Sequence, residues 1–190
     1  MELKWGVTEY MDKLFPKLGG LHIAMNFLKV IGDHMNGSGL EEIWLESGRL
    51  GPCRIKQVLS GKAYNKGARC HKLSLQALWQ ILVPSLLPFC KEHDRKYHDD
   101  ITLLIDDKSD NIVKRLSLLA EERFQSVLSS FIVMRSKDNN FDFWWNYMQM
   151  VEILQLFIRA QRDGNLDLHI YSFQLMLPYF MRYDHMNYAR

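Results

Sequence analysis

Between Phe141 and Arg162, apolar side chains fall on nearly every face of a 3.6-residue period: Phe143, Trp144, Tyr147, Met150, Val151, Leu154, Phe157 and Ile158. A surface helix carries a single apolar stripe, whereas a helix that is apolar around its circumference has to be enclosed by other elements. A chain of 190 residues is long enough to supply that enclosure and a sizeable core. Its 47% hydrophobic and 24% charged residues match an average globular domain and exclude wholesale disorder.

The remaining pattern supplies helices. Leu21, Ala24/Met25, Leu28 and Ile31/Met35 recur at helical spacing, and Asn36-Gly37-Ser38-Gly39 ends that segment with residues that tolerate turns. A short helix is expected over Leu40–Glu46. Pro52 suits the first position of another, with Ile55, Val58 and Leu59 inward and Ser60-Gly61 at its end. The pattern is helical again from Asn65 to Val83, and Leu73–Cys90 reads as a buried helix kinked or broken at Pro84. Lys91–Asp100 and Asp106–Asp110 read as polar surface and loop. Ser109 or Asp110 suits the cap of a helix with Ile112, Leu116, Leu119, Phe124, Val127, Leu128 and Phe131 inward. A last long helix is expected over Leu166–Met181, broken near Pro178. Lys17–Ile23 is the one place for a short strand. The class is all-α, an irregular bundle of about seven to nine helices, or an α-rich fragment of an α/β transposase-like protein. It is read as a single helical domain over 1–190, with 136–140 as the place for a subdomain boundary.

Composition narrows the function classes. Lys and Arg number 24 against 22 Asp and Glu, so the net charge of +2 provides no global basic field. Cys53, Cys70 and Cys90 are odd in number and widely spaced, which suits a reducing compartment and neither a disulfide framework nor a zinc knuckle. Met1–Thr8 has no apolar core of a signal peptide. Leu73–Cys90 approaches the lower length of a membrane span, about 17 residues. Its glutamines and prolines favour a core helix instead. The expected location is intracellular, nucleus or cytoplasm, with no membrane partner.

Catalytic signatures are scarce. No GxSxG, GxxxxGK[ST] or GxGxxG motif is present, so neither a nucleophile elbow nor a phosphate-cradling loop is indicated. No cofactor is expected. Asp94 and His98 stand four apart, a spacing that lets two ligands share a helical face, but the surrounding charge mixture reads equally as a solvated helix end. His22 and His71 border apolar faces and read as core or hinge histidines. Glu152 alone among the acids sits deep in an apolar stretch, a weak candidate for a catalytic carboxylate and otherwise a water-facing residue.

Charge patterning is more informative. No acid lies between Ser47 and Cys90, while Arg49, Arg54, Lys56, Lys62, Lys66, Arg69 and Lys72 are all basic, with Tyr64 and Asn65 interleaved. Such a cluster suits phosphate contacts, or it docks the acidic stretch between Glu92 and Asp110 and is neutralised internally.

Several separated blocks resemble a domain-of-unknown-function family found in long, transposon-like reading frames of animals and fungi. They are Leu18-Gly19-Gly20-Leu21-His22, Gly37-Ser38-Gly39-Leu40, Leu59-Ser60-Gly61-Lys62-Ala63-Tyr64, the stretch from Phe157 to Gly164 with Arg159 and Arg162, Leu168-His169, and Tyr183-Asp184-His185-Met186-Asn187-Tyr188-Ala189-Arg190. The resemblance implies a fragment or shortened gene copy. More distantly, Leu14-Phe15-Pro16, His22 and Asn26 are similar to a block of cut-and-paste transposases with a ribonuclease-H-like core. That analogy makes Leu40–Ser136 an all-α insertion and Phe141–Arg162 the late helix, on which Gln149 replaces the family's acid.

The functional expectation is a transposon-derived helical domain without catalytic activity of its own, binding nucleic acid non-specifically through 49–72. The alternatives are a protein-interaction module with an acidic partner and a fragment of an active metal-dependent transposase or nuclease.

Overall fold

The computed structural model describes residues 19–106 and 122–183. Among these residues it is entirely helical, with α1 Gly20–His34, α2 Leu40–Glu46, α3 Pro52–Leu59, α4 Tyr64–His93, α5 Arg95–Asp106, α6 Glu122–Arg135, α7 Asn139–Asp163 and α8 Leu166–Arg182. The all-α class and the expected number of helices hold. The strand considered at Lys17–Ile23 is not formed where it is described, because Ile23 lies in α1. Ile112, Leu116 and Leu119 lie outside the described residues.

The chain divides into two compact units, Met1–Ala68 with Ile153–Arg190, and Arg69–Glu152. Both boundaries fall inside helices, α4 and α7, and 136–140 covers the turn between α6 and α7 and the first two residues of α7, within the second unit.

In the first unit α1 buries Ile23, Ala24, Phe27, Leu28, Val30 and Ile31, a wide apolar stripe at helical spacing. It packs on α3 and α8. The α1–α3 contact depends on two glycines. A Cβ on Gly32 would lie 2.1 Å from the Leu59 carbonyl oxygen, and one on Gly61 would lie 2.1 Å from that of Met25. Both are far inside van der Waals contact and face backbone, which cannot swing away. Gly61 also has φ +73, in the region that L side chains rarely adopt. Phe27 meets Phe180 edge-on at 5.6 Å and Tyr179 at 5.9 Å, which ties α8 to α1.

Three expectations at prolines and polar segments need correction. Pro84 and Pro88 sit inside an unbroken α4, and Pro178 inside an unbroken α8. All three prolines are exposed, as are Gln80, Pro84 and Gln174, four residues before each of them. The carbonyls that lose their helical donors therefore face water, while Leu82, Leu86 and Phe89, or Met176 and Phe180, stay buried on the opposite side. The polar segment after Lys91 is also not a loop. Asp94 Oδ1 accepts from the Tyr97 amide at 3.1 Å, caps α5, and Tyr97 is fully buried. By length and composition α4 meets the requirement for crossing a membrane, with a mean hydropathy of 1.4 over an 18-residue window, a test that core helices also pass.

Along α7, Tyr147, Met150, Val151, Leu154, Phe157 and Ala160 are fully buried, whereas Phe143 and Trp144 are half-buried. The apolar circumference read from the sequence is thus covered from Tyr147 onward, and the first turns of the helix present rings to an open cleft.

Candidate nucleic-acid interface

The basic segment is carried by the end of the α2–α3 connection, by α3, by the turn after it and by the first turns of α4. Arg49, Arg54, Lys56, Lys62, Lys66, Arg69 and Lys72 are all exposed. Their outward placement follows from what the same elements bury. In α3, Ile55 and Val58 face inward and leave Arg54 and Lys56 on the solvent side. In α4, Cys70 and His71 are buried, and Lys66, Arg69 and Lys72 at intervals of three climb the outer side, advancing about 4.5 Å per step. None of the seven forms an ion pair with a described residue; the described ion pairs are His98–Asp99, Arg123–Asp94 and Arg159–Asp163. Arg54 Nη1 donates weakly to Gln57 Oε1 at 3.4 Å, a contact between neighbours on one helix that leaves the charge uncompensated. Tyr64, at the start of α4, is half-buried.

Lys29 lies outside this segment in sequence and joins it in the fold. Gly61 packs so closely on α1 that its added Cβ would be 3.2 Å from the Lys29 amide nitrogen. Exposed Lys29 therefore stands beside the turn that carries Lys62. No periodicity within 49–72 reveals this, because it depends on the glycine-mediated contact.

The other singled-out residues go elsewhere. Asp94 and His98 do not form a joint ligand pair. Both Asp94 oxygens face the Arg123 guanidinium, at 2.7 and 2.6 Å, and the Tyr97 amide and Arg123 hold its carboxyl below the usual carboxylate range. His98 Nδ1 instead lies 3.2 Å from Asp99 Oδ1. No group of three His, Cys, Asp or Glu side chains able to hold a metal is found among the described residues.

The two histidines read alike in sequence part company. His22 is exposed, and its carbonyl accepts from Asn26 Nδ2. His71 is fully buried, with Nδ1 2.9 Å from the Tyr147 hydroxyl, and burial pushes its pKa down to about 3. Tyr147 is raised by the same burial.

Glu152 does not face water freely, contrary to expectation. It is half-buried, its Oε1 accepts from Trp79 Nε1 at 3.0 Å, and burial raises its pKa against the opposing effect of that hydrogen bond. Three motif blocks meet in the first unit: Gln161 of α7 contacts Gly20 of α1 and His169 of α8, and His169 is buried against Phe157 at 4.9 Å. Arg159 pairs with Asp163 on the surface, and Arg162 is exposed. Asp184, His185, Asn187 and Tyr188 lie outside the described residues.

A family model described as a domain of unknown function, DUF8702, matches residues 1–190. The chain belongs to the DUF8702 family. No curated protein and no solved structure matches it. Among the described residues of this DUF8702 chain, the prominent chemical feature is the exposed cation cluster without a described ion-pair partner.

Proposed function

We propose that this chain is a transposon-derived helical domain that binds nucleic acid without base selectivity through the surface formed by 49–72, and that binding, not catalysis, is its activity. The observation that carries this reading is that all seven cations of the segment are exposed and none is paired with a described carboxylate. Unpaired cations in water keep their attraction for phosphate and release condensed counterions when they meet it. Five of the seven, Arg49, Arg54, Lys56, Lys62 and Lys66, lie in the first unit together with Lys29 and occupy a loop, two helices and a turn, so about three to five reach phosphates together. Within 49–72 no Arg or Asn is held in place by a partner that would aim it at a base edge, so affinity through this surface is expected to be nearly independent of sequence.

The test is binding of a labelled DNA duplex by fluorescence anisotropy across a salt series. A log–log slope of about −3 to −4.5 is expected. Lys62→Glu with Lys66→Glu should weaken binding sharply. Lys91→Glu, about 28 Å further along α4 than Lys72 at 1.5 Å per residue, should change little. Absence of binding at low salt, or indifference to the double reversal, overturns the reading. An acidic protein partner is the alternative that the same cations support, and it gains if an acidic polypeptide binds where DNA does not.

Catalysis by an isolated chain of this kind is not expected, because metal-dependent phosphoryl transfer needs carboxylates from several elements converging on divalent cations. Glu152 is held by an indole, and Gln149 is neutral. DNA cleavage in magnesium or manganese that is lost on Glu152→Ala would revive the transposase reading.

A further inference from the structure

The second unit carries a cleft that the basic segment does not explain. It encloses about 210 Å³ between α4, α6, the turn at Asp138 and the start of α7. We propose that this cleft binds a nucleotide, with an unstacked base on its aromatic wall and the phosphate on Arg135. The volume lies below the range of about 300–1,000 Å³ typical of drug-sized ligands, which suits one planar ring system.

The wall is built from Phe141, Trp144 and Trp145. Phe141 and Trp145 are one helical turn apart, parallel to within 3°, with centroids 6.3 Å apart. Their planes are fixed by neighbours. Phe131 meets Phe141 edge-on at 80°, and Trp79 meets Trp145 at 84°. Trp79 is in turn held by its hydrogen bond to Glu152. The half-buried carboxylate that resembled a catalytic acid thus acts as a positioning group for the aromatic wall. Rings held in place before binding lose little freedom when a base stacks on them.

The edge of the cleft is charged. Arg135 is exposed, its guanidinium lies 5.4 Å from the Phe141 ring centre, and it pairs with no described carboxylate. Asp138, the nearest acid in sequence, also lines the cleft; its Oδ1 accepts from the Asn140 amide at 2.9 Å and caps α7, and it forms no ion pair with Arg135. A cation stacked on the ring that forms the wall is therefore available to an anion carried by whatever stacks beside it. Asn140, also at the cleft, offers both a donor and an acceptor to a base edge. An apolar side chain would fill the same volume but leave Arg135 and Asn140 without a role, so a flat ring bearing a phosphate fits the chemistry better. The site shares no residue with 49–72 and does not depend on that surface binding nucleic acid.

A nucleotide reaches such a site either free or as an unpaired residue of a single strand, and the test separates the two. The full chain is titrated with 5′-AMP and 5′-UMP, adenosine, inorganic phosphate and an oligothymidylate, reading intrinsic tryptophan fluorescence, since Trp144 and Trp145 report directly. Saturable quenching is expected by a mononucleotide or by the oligonucleotide, with inorganic phosphate alone inert. The mononucleotides identify the free ligand. Quenching by oligothymidylate alone identifies the strand. Arg135→Ala should weaken nucleotide binding about tenfold or more, as loss of a charge-assisted hydrogen bond does. Adenosine binding should be unchanged, and Arg135→Lys should restore part of the loss. Arg135 is exposed, so circular dichroism of the variant should match the parent. Glu152→Gln, which keeps an acceptor for Trp79, should bind nearly as the parent, whereas Glu152→Leu should bind more weakly. No saturable quenching by any nucleotide, or equal affinity in Arg135→Ala, overturns the proposal.

Discussion

The basic segment 49–72 and the polar groups inside the second unit handle charge in opposite ways. Seven cations stand exposed to water without an ion-pair partner among the described residues, which leaves their charge available to an outside anion. His71, Tyr147, Trp79 and Glu152 are wholly or partly withdrawn from water, and each is matched to another polar group of the same unit. Burying a polar group costs several kcal/mol when it is left unsatisfied, about 2–7 depending on the reference state, so interior groups pair with one another and specify a packing. Exposed charges have no such obligation and can be spent on a ligand. The contrast teaches where substitutions should act: interior changes on stability, segment changes on binding.

The largest effect expected is in the α7 core. Leu154→Ala should cost about 2–5 kcal/mol in denaturant unfolding, because the residue is fully buried and its removal leaves a cavity. A cost below 1 kcal/mol would break the claim that this helix is enclosed. Next comes the buried polar pair. Tyr147→Phe keeps the ring and removes the hydroxyl beside His71, and the loss should be about 1–3 kcal/mol. No loss would mean that the pair contributes packing alone.

Acid should sharpen the same comparison. His71 has a folded pKa of about 3 against an ordinary 6.5, so the unfolded chain binds the extra proton between those values. Its contribution is present in full above pH 6.5 and is lost as pH falls toward 3, at up to about 1.4 kcal/mol per pH unit. Glu152, raised by burial, works with the opposite sign: its contribution is present at low pH and declines as pH rises above 4.5. Thermal unfolding from pH 7 to pH 4 should show a falling midpoint that His71→Gln flattens.

Smaller still, Asp94→Ala removes the α5 cap and the Arg123 pair. The loss should be about 0.5–2 kcal/mol for the cap, with little added by an exposed ion pair. Asp94→Asn, which keeps a capping oxygen, should recover most of it. Smallest of all, Lys62→Glu with Lys66→Glu should change unfolding free energy by no more than about 0.5 kcal/mol while altering DNA affinity sharply. A large stability change there would erase the distinction between the two regions.

Local sequence fixes several features by itself. The helix starts at Pro52 and Asn165 are set by a residue suited to the first turn and by a side-chain oxygen that accepts from the Leu168 amide. The enclosure of α7 follows from its all-round apolar pattern, and the outward face of 54–72 from unopposed charges beside inward Ile55, Val58 and Cys70. These are decided by neighbours three or four residues away, which any stretch of sequence displays. Tertiary structure decided what no short window contains. Pro84, Pro88 and Pro178 remain in helices because burial of the opposite faces offsets a local cost of about 3 kcal/mol at each. His22 and His71, alike in context, separate because Tyr147, 76 residues from His71, gives only the latter an interior partner. Glu152 turns from a solvent-facing acid into the anchor of an aromatic wall through Trp79, 73 residues away. Local preference is a small energy spread over a few residues. The pairings that assign roles to His71 and Glu152 arise only when distant segments are packed together.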